Sequence, residues 1–223
     1  MKSFALLSSL ATAALVSLSS CSSVAQQQQR TVDSFQMVKA SGAINLYVRQ
    51  GPTTKVEVDA APEVLESVKT EVRGNTLTIY RDKGFSLTEM LRNKPVKVYV
   101  TTPQLSGIEV SGASDVKGET PISADDFRIN ASGASDVTLT LNAKSLTTNA
   151  SGASDIRLDG RVERQQVDIS GSSDYRASDL HSRKANVQAS GASDAYVFVD
   201  DELQANSSGA SDVHNKGRAR VSR

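Results

Sequence analysis

The sequence predicts an all-β protein, a right-handed parallel β-helix stacked as a single solenoid of about 20 residues per coil, with less regular N-terminal coils. Three observations predict it. The pentapeptide Ser-Gly-Ala-Ser-Asp recurs, beginning at Ser111, Ser132, Ser151, Ser190 and Ser208, and Ser170 opens a variant with Ser172 in the Ala place. These six copies start 21, 19, 19, 20 and 18 residues apart. That period is too short for paired-helix repeats and too long for hexapeptide or nonapeptide coils. The flanking residues alternate with the period of a strand, and no segment between copies carries a helical pattern of about ten residues or more. Parallel strands joined coil to coil follow the right-handed crossover rule.

In chain order, the first element is a targeting segment, residues 1–20, which stands outside the fold. Lys2 supplies the positive end, and Phe4–Leu18 is an apolar stretch too short to span a bilayer as a helix. Leu18-Ser19-Ser20-Cys21 then matches a bacterial lipobox, in which the cysteine is acylated and becomes the mature N-terminus. Cys21 is the only cysteine, so an internal disulfide is excluded. Ser23-Val24-Ala25 offers a second cleavage site, which would release a soluble chain beginning at Gln26. Both routes predict export. Residues 21–30, with four consecutive Gln, read as the anchor cysteine and a polar tether, and residues 31–223 as one domain.

Between Val32 and Gln104 the strand pattern persists without the full repeat. Ile44, Leu46 and Val48 alternate, as do Val56 and Val58, Leu77 and Ile79, and Val96, Val98 and Val100. Ser41-Gly42-Ala43 repeats the start of the pentapeptide, with Ile44-Asn45 in place of Ser-Asp, and is expected to open a degenerate first coil. Pro62–Val68 predicts a short helix with Pro in its first turn, and Gly84–Asn93 a second insertion.

Within the repeats, Phe127, Ile129 and Ala131, then Leu146, Thr148 and Ala150, then Ala185, Val187 and Ala189 are predicted to point inward before a corner. After each corner come Val116, Val137, Ile156, Tyr175, Ala195 and Val213, starting a second strand. The tail alternates Lys216, Arg218, Arg220 and Arg223 with Gly217, Ala219 and Val221, a final strand whose charges discourage edge-to-edge addition.

Composition agrees with a narrow layered interior. Five Tyr, five Phe and no Trp leave the core to aliphatic and small hydroxyl residues. The 25 basic and 25 acidic side chains balance, so no basic field exists to attract nucleic acid.

The six pentapeptides, the opening Lys39-Ala40-Ser41-Gly42-Ala43-Ile44-Asn45-Leu46 and the strand Gly74-Asn75-Thr76-Leu77-Thr78-Ile79 resemble the "putative auto-transporter adhesin, head GIN domain" family. The resemblance covers nearly all of the chain after the targeting segment. It implies a right-handed β-helical fold on an exported protein, often a lipoprotein, and it carries no catalytic or binding residues.

The repeated corner is the one constellation with physical content. Gly112, Gly133, Gly152, Gly171, Gly191 and Gly209 hold a place that suits positive φ and close stacking. The Ser before each Gly and the small residue after it are expected to pack between coils about 4.8 Å apart. Asp115, Asp136, Asp155, Asp174, Asp194 and Asp212 close the corner. Each Asp suits a bond to a backbone N–H two residues on. Stacked, the six also form a ladder in which neighbours repel by roughly 1 kcal/mol in a water-like dielectric, unless hydrogen bonds, a proton or a cation compensate. One carboxylate per coil is short of the six or more oxygens a hard cation takes, so no metal and no cofactor is expected. His181 and His214, the only histidines, fall in different coils and read as solvated surface residues.

The expectation for function is a non-catalytic envelope solenoid, an adhesin or binding and scaffold module. It would be held to the outer membrane through Cys21, on the periplasmic side or the cell surface, with an unknown protein or glycan as ligand. Two alternatives have sequence signs of their own. A polysaccharide-active β-helix enzyme would cluster its acids on long loops, whereas here they follow the repeat. A self-associating solenoid, forming homo-oligomers, would expose its end coils.

Overall fold

The computed structural model describes residues 26–82 and 96–222. Cys21, the targeting segment and the expected insertion at Gly84–Asn93 lie outside these residues. Among the described residues sixteen strands join one sheet that winds into a β-solenoid of about six turns.

The repeats form the regular part: β8 (Gly107–Ser111), β9 (Asp115–Gly118), β10 (Ile122–Ala131), β11 (Val137–Ala150), β12 (Asp155–Ile169), β13 (Asp174–Gly191), β14 (Ala195–Gly209), β15 (Val213–Asn215) and β16 (Val221–Ser222). From β10 to β14 each pairs in parallel with its successor, Val137 opposite Ile156 and Leu146 opposite Gln165, and both β15 and β16 pair in parallel with β14. Within β11 the inward set is Val137, Leu139 and Leu141, then Leu146, Thr148 and Ala150. An odd-numbered set becomes even-numbered only if the chain turns between them. Each coil therefore has two inward-facing sides and two edges: the Gly corner, and a bend near residues 142–145.

Every inward position named above before a corner is buried, and so are Val116, Val137, Ile156, Tyr175 and Ala195 after it. Val213, in the last coil, is only partly covered. Differences in repeat length are absorbed away from the corner. Irregular pairing occurs between Arg157 and Asp159, Ala177 and His181, and Ser182 and Lys184, yet Ser190–Gly191 stays in register with Ser208–Gly209.

The N-terminal part departs from a simple sequential stack. Strands β2 (Met37–Ser41) and β3 (Ile44–Gln50) form one coil, whose Gly42 backbone lies next to Gly112. It is an inner coil rather than the first. It lies between β8–β9 on one side and β6 (Thr76–Arg81) with β7 (Val96–Thr102) on the other, all in parallel. The strands that follow β3 are antiparallel: β4 (Lys55–Ala60) pairs with β7, and β5 (Val68–Arg73) with β6. They close the end of the stack, so the outer coil has no bare edge of unpaired N–H and C=O groups.

Helix α1 spans Pro62–Leu65, shorter than the expected Pro62–Val68, because Val68 already begins β5. Gln26–Arg30, expected as tether, is strand β1 on the outer edge of β4. That edge offers backbone bonds to whatever passes, and a polyglutamine run can take them. Arg30 fixes the end of β1 by donating from Nη2 to the carbonyl of Leu65 at 2.9 Å.

Candidate functional surfaces

At the corner the glycines form a column. Gly152 has φ +83°, and a Cβ on it would lie 2.5 Å from the carbonyl oxygen of Gly133; Gly133, Gly171, Gly191 and Gly209 repeat this geometry, and Gly112 lies over Gly42. The backbone ladder runs unbroken through the bend, with Ala153 N–H donating to Gly133 O at 2.7 Å and Ser172 N–H to Gly152 O at 2.7 Å.

The two small neighbours of each Gly are not the packed ones. The residue after Gly is exposed (Ala113, Ala134, Ala153, Ser172, Ala192 and Ala210), and the first Ser is exposed or half-buried. The fourth residue is buried instead: Ser114, Ser135, Ser154, Ser173 and Ser193 are fully enclosed and Ser211 nearly so. These hydroxyls satisfy backbone that the bend turns away from the ladder. Ser154 Oγ donates to Ser151 O at 3.1 Å, Ser173 Oγ accepts from Ser154 N–H at 3.3 Å, and Ser114 Oγ accepts from Ile44 N–H at 3.1 Å. A signal for this was present. Each of these serines precedes an inward residue by two, which places it on the same face.

The aspartates stand outside this serine column, exposed at Asp115, Asp136 and Asp212 and half-buried at Asp155, Asp174 and Asp194. The bond to an N–H two residues on is not formed. Asp194 Oδ1 instead accepts from the N–H of Asp212, one coil away, at 3.2 Å. Arg176 bridges two rungs, 2.7 Å from Asp174 and 3.6 Å from Asp155. Among the described residues no group of three or more His, Cys, Asp or Glu is arranged to hold a metal ion.

Two residues beyond the aspartates, Arg157, Arg176, Tyr196 and His214 succeed one another as ladder partners. Tyr196 stacks on His214 with ring centres 4.9 Å apart, and Tyr47 on Tyr99 at the same distance. His181 is exposed, with its ring centre 4.1 Å from that of Phe198. The opposite side of the corner is amide-rich: Asn130, Asn149, Asp168, Gln188 and Asn206 are partners, and Asn149 donates to Asn130 at 2.8 Å. In the tail, Arg218 binds Asp200 at 3.0 Å and holds that carboxyl below its usual range.

One polar relay crosses the core. Tyr175, fully buried, donates to Gln165 Oε1 at 2.7 Å; Gln165 Nε2 donates to Ser182 Oγ at 2.8 Å; and Ser182 donates to Phe198 O at 2.9 Å. Burial pushes the Tyr175 hydroxyl far above the ordinary tyrosine range.

These features define a repetitive β-solenoid with a closed N-terminal end, a recurring glycine–serine corner and flat polar ladders outside. The chain belongs to the family described as "Putative auto-transporter adhesin, head GIN domain", whose model matches residues 34–219. Solved structures share the fold. A Parabacteroides distasonis "putative adhesin" superposes with a TM-score of 0.76 at 23% identity, covering 90% of this chain and 93% of its own. A Bacteroides fragilis "putative adhesin" gives 0.74 at 20%, covering 88% and 95%. A P. distasonis "putative lipid binding protein" gives 0.64 at 16%, covering 90% and 96%. No curated protein matches the sequence.

Proposed function

We propose that the chain is a non-catalytic binding module of the cell envelope, exported and held to the outer membrane by lipid on Cys21. The observation that carries this reading is the recurrence of outward side chains in register from coil to coil, as in the Asn130–Asn149 pair and the Arg157–Arg176–Tyr196–His214 column. Such ladders present a regular row of polar and aromatic groups over a long, rigid surface, which suits contact with an extended partner more than chemistry at one bond. Membership of an adhesin family supports it. Strand β1 supports the anchoring geometry: it begins at Gln26 on the closed end of the stack. Five residues from Cys21 reach roughly 17 Å at most. The closed end then faces the membrane and the repeated coils project from it.

Metabolic labelling with a fatty-acid analogue tests the anchor: wild type takes the label and Cys21→Ser does not. Protease treatment of intact cells, followed by crosslinking and recovery of bound molecules, tests exposure and partner together. Equal labelling of the two forms, or the absence of any crosslinked partner, overturns the corresponding half of the proposal.

A further inference from the structure

Where β10 begins, the ladder is interrupted on one side. Its residues pair with β11 from Ile122 onward, but on the opposite side β8 pairs only from Arg128, opposite Gly107. The preceding coil crosses this gap at residues 103–106 without forming a strand. A side chain takes the place of the missing strand. Gln50 Oε1 accepts from Ser123 N–H at 2.7 Å, and Gln50 Nε2 donates to the carbonyls of Ser123 and Pro103, each at 3.1 Å. A second amide chain fixes the facing loop: Gln36 donates to Gln104 Oε1 at 2.8 Å and accepts from Asn75 at 3.0 Å.

The gap so framed is a cleft of ≈ 670 Å³. That is within the size of small-ligand sites, about 300–1,000 Å³. Buried Leu105 and half-buried Ala124 contribute its apolar lining. Around them lie the Gln104 amide nitrogen, the Ser123 hydroxyl, the Asp126 carboxylate and the Asn142 amide. None of these four groups has a hydrogen-bond partner among the described residues, and Ser123 and Asn142 are direct ladder partners. The lining contains no Lys or Arg, and its other carboxylate, Asp125, is paired with Lys144 at 2.7 Å.

Unpaired donors and acceptors of both kinds beside an apolar floor, with no cation to draw an anion, match a molecule dense in neutral hydroxyls. We propose that this cleft binds a neutral carbohydrate. Asp126 accepts from its hydroxyls, the Gln104 amide nitrogen donates and the Asn142 amide donates and accepts around its rim, and its C–H face lies on half-buried Ala124, with Leu105 beneath. The proposal rests on the binding-module reading and names its ligand class. Because Gln36, Gln50, Gln104 and Asn75 hold the walls beforehand, little ordering remains to be done on binding.

The test is saturation-transfer NMR and calorimetry on the full chain with xylotriose, cellotriose, maltotriose and tri-N-acetylchitotriose, and with trigalacturonate as the charged control. At least one neutral probe is expected to bind in the micromolar-to-millimolar range and the charged control not to. Asp126→Ala and Asn142→Ala, both at exposed positions, should each weaken binding about tenfold or more with the melting temperature retained, while Ser172→Ala at the exposed corner leaves it unchanged. Absence of binding by all four neutral probes, tighter binding of trigalacturonate, or binding indifferent to both cleft substitutions overturns the proposal. If the combined Asp126→Ala, Asn142→Ala variant still recovers its crosslinked partner like wild type while no sugar binds to wild type, the carbohydrate cleft falls and the binding-module reading stands.

Discussion

The carbonyl oxygen of Gly133 lies 2.5 Å from the point where a side chain on Gly152 would begin, and Gly152 is itself held at φ +83°. Two constraints thus coincide at one atom: a left-handed backbone and a backbone oxygen that belongs to the ladder and has no freedom to retreat.

Gly152→Ala is therefore expected to cost at least ~3 kcal/mol, combining the left-handed penalty with the steric one. Gly74→Ala isolates the first effect, since Gly74 has φ +59° with no atom within 4 Å of its would-be Cβ. About 1 kcal/mol is expected there. Gly209→Ala should fall between them, because its clash is 2.7 Å and its coil is the last complete corner, free to fray. Urea unfolding of the three variants checks the order; equal losses at Gly74 and Gly152 would show that stacking contributes nothing.

Ser173→Ala removes the hydroxyl that accepts the N–H of Ser154 and leaves that buried donor unpaired. An orphaned buried group costs about 1–3 kcal/mol. Ser172→Ala, at the exposed neighbouring position, should be neutral. Thermal melts of the pair separate the two serines of one corner.

The core relay makes stability fall at alkaline pH. In the unfolded chain Tyr175 ionises near the ordinary tyrosine value, ~10, whereas in the fold burial holds its proton well beyond that. Above about pH 10 the unfolded state binds fewer protons than the folded one, so stability is lost as pH rises further. Tyr175→Phe should cost roughly 1–3 kcal/mol at pH 7, by leaving Gln165 Oε1 unpaired, and should flatten the alkaline limb. Unfolding curves between pH 8 and pH 11 read both effects; an alkaline limb as steep in the variant as in wild type would reassign it to other groups.

Asp155→Asn removes one charge from the aspartate column but also loses the 3.6 Å contact with Arg176, which keeps its shorter one to Asp174. Both effects are at the surface, so the net change should lie within ~0.5 kcal/mol and shrink with added salt. A chelator should leave the wild-type melting temperature unchanged; a drop on adding it would mean that the column holds a cation.

Much of the fold is legible in the order of residues along the chain. Leu146, Thr148 and Ala150 on one side of a corner and Ile156 on the other read as inward because alternation within a coil and recurrence between coils point the same way. Gln165 is legible too as an oddity, a polar residue in the column of Leu146 and Ala185, although its partner Tyr175 is not. The cleft at β10 is hidden from such a reading, since its frame depends on Gln50 meeting Ser123, 73 residues away.

Repeat, faces and corner all follow from the amino-acid order alone, because a solenoid superposes equivalent residues and a one-residue slip would turn a whole side inside out. The order of the N-terminal coils does not follow from it. Alternating apolar residues in β3, β4 and β7 state which side faces the core and are silent about which strand lies alongside, or in which direction. That choice rests on backbone edges: β4 and β5 run antiparallel because the outer coil needs its edge covered, and the coil of Gly42 is inner because its corner stacks with Gly112. Hydrogen bonding between distant strands, rather than side-chain periodicity, places them.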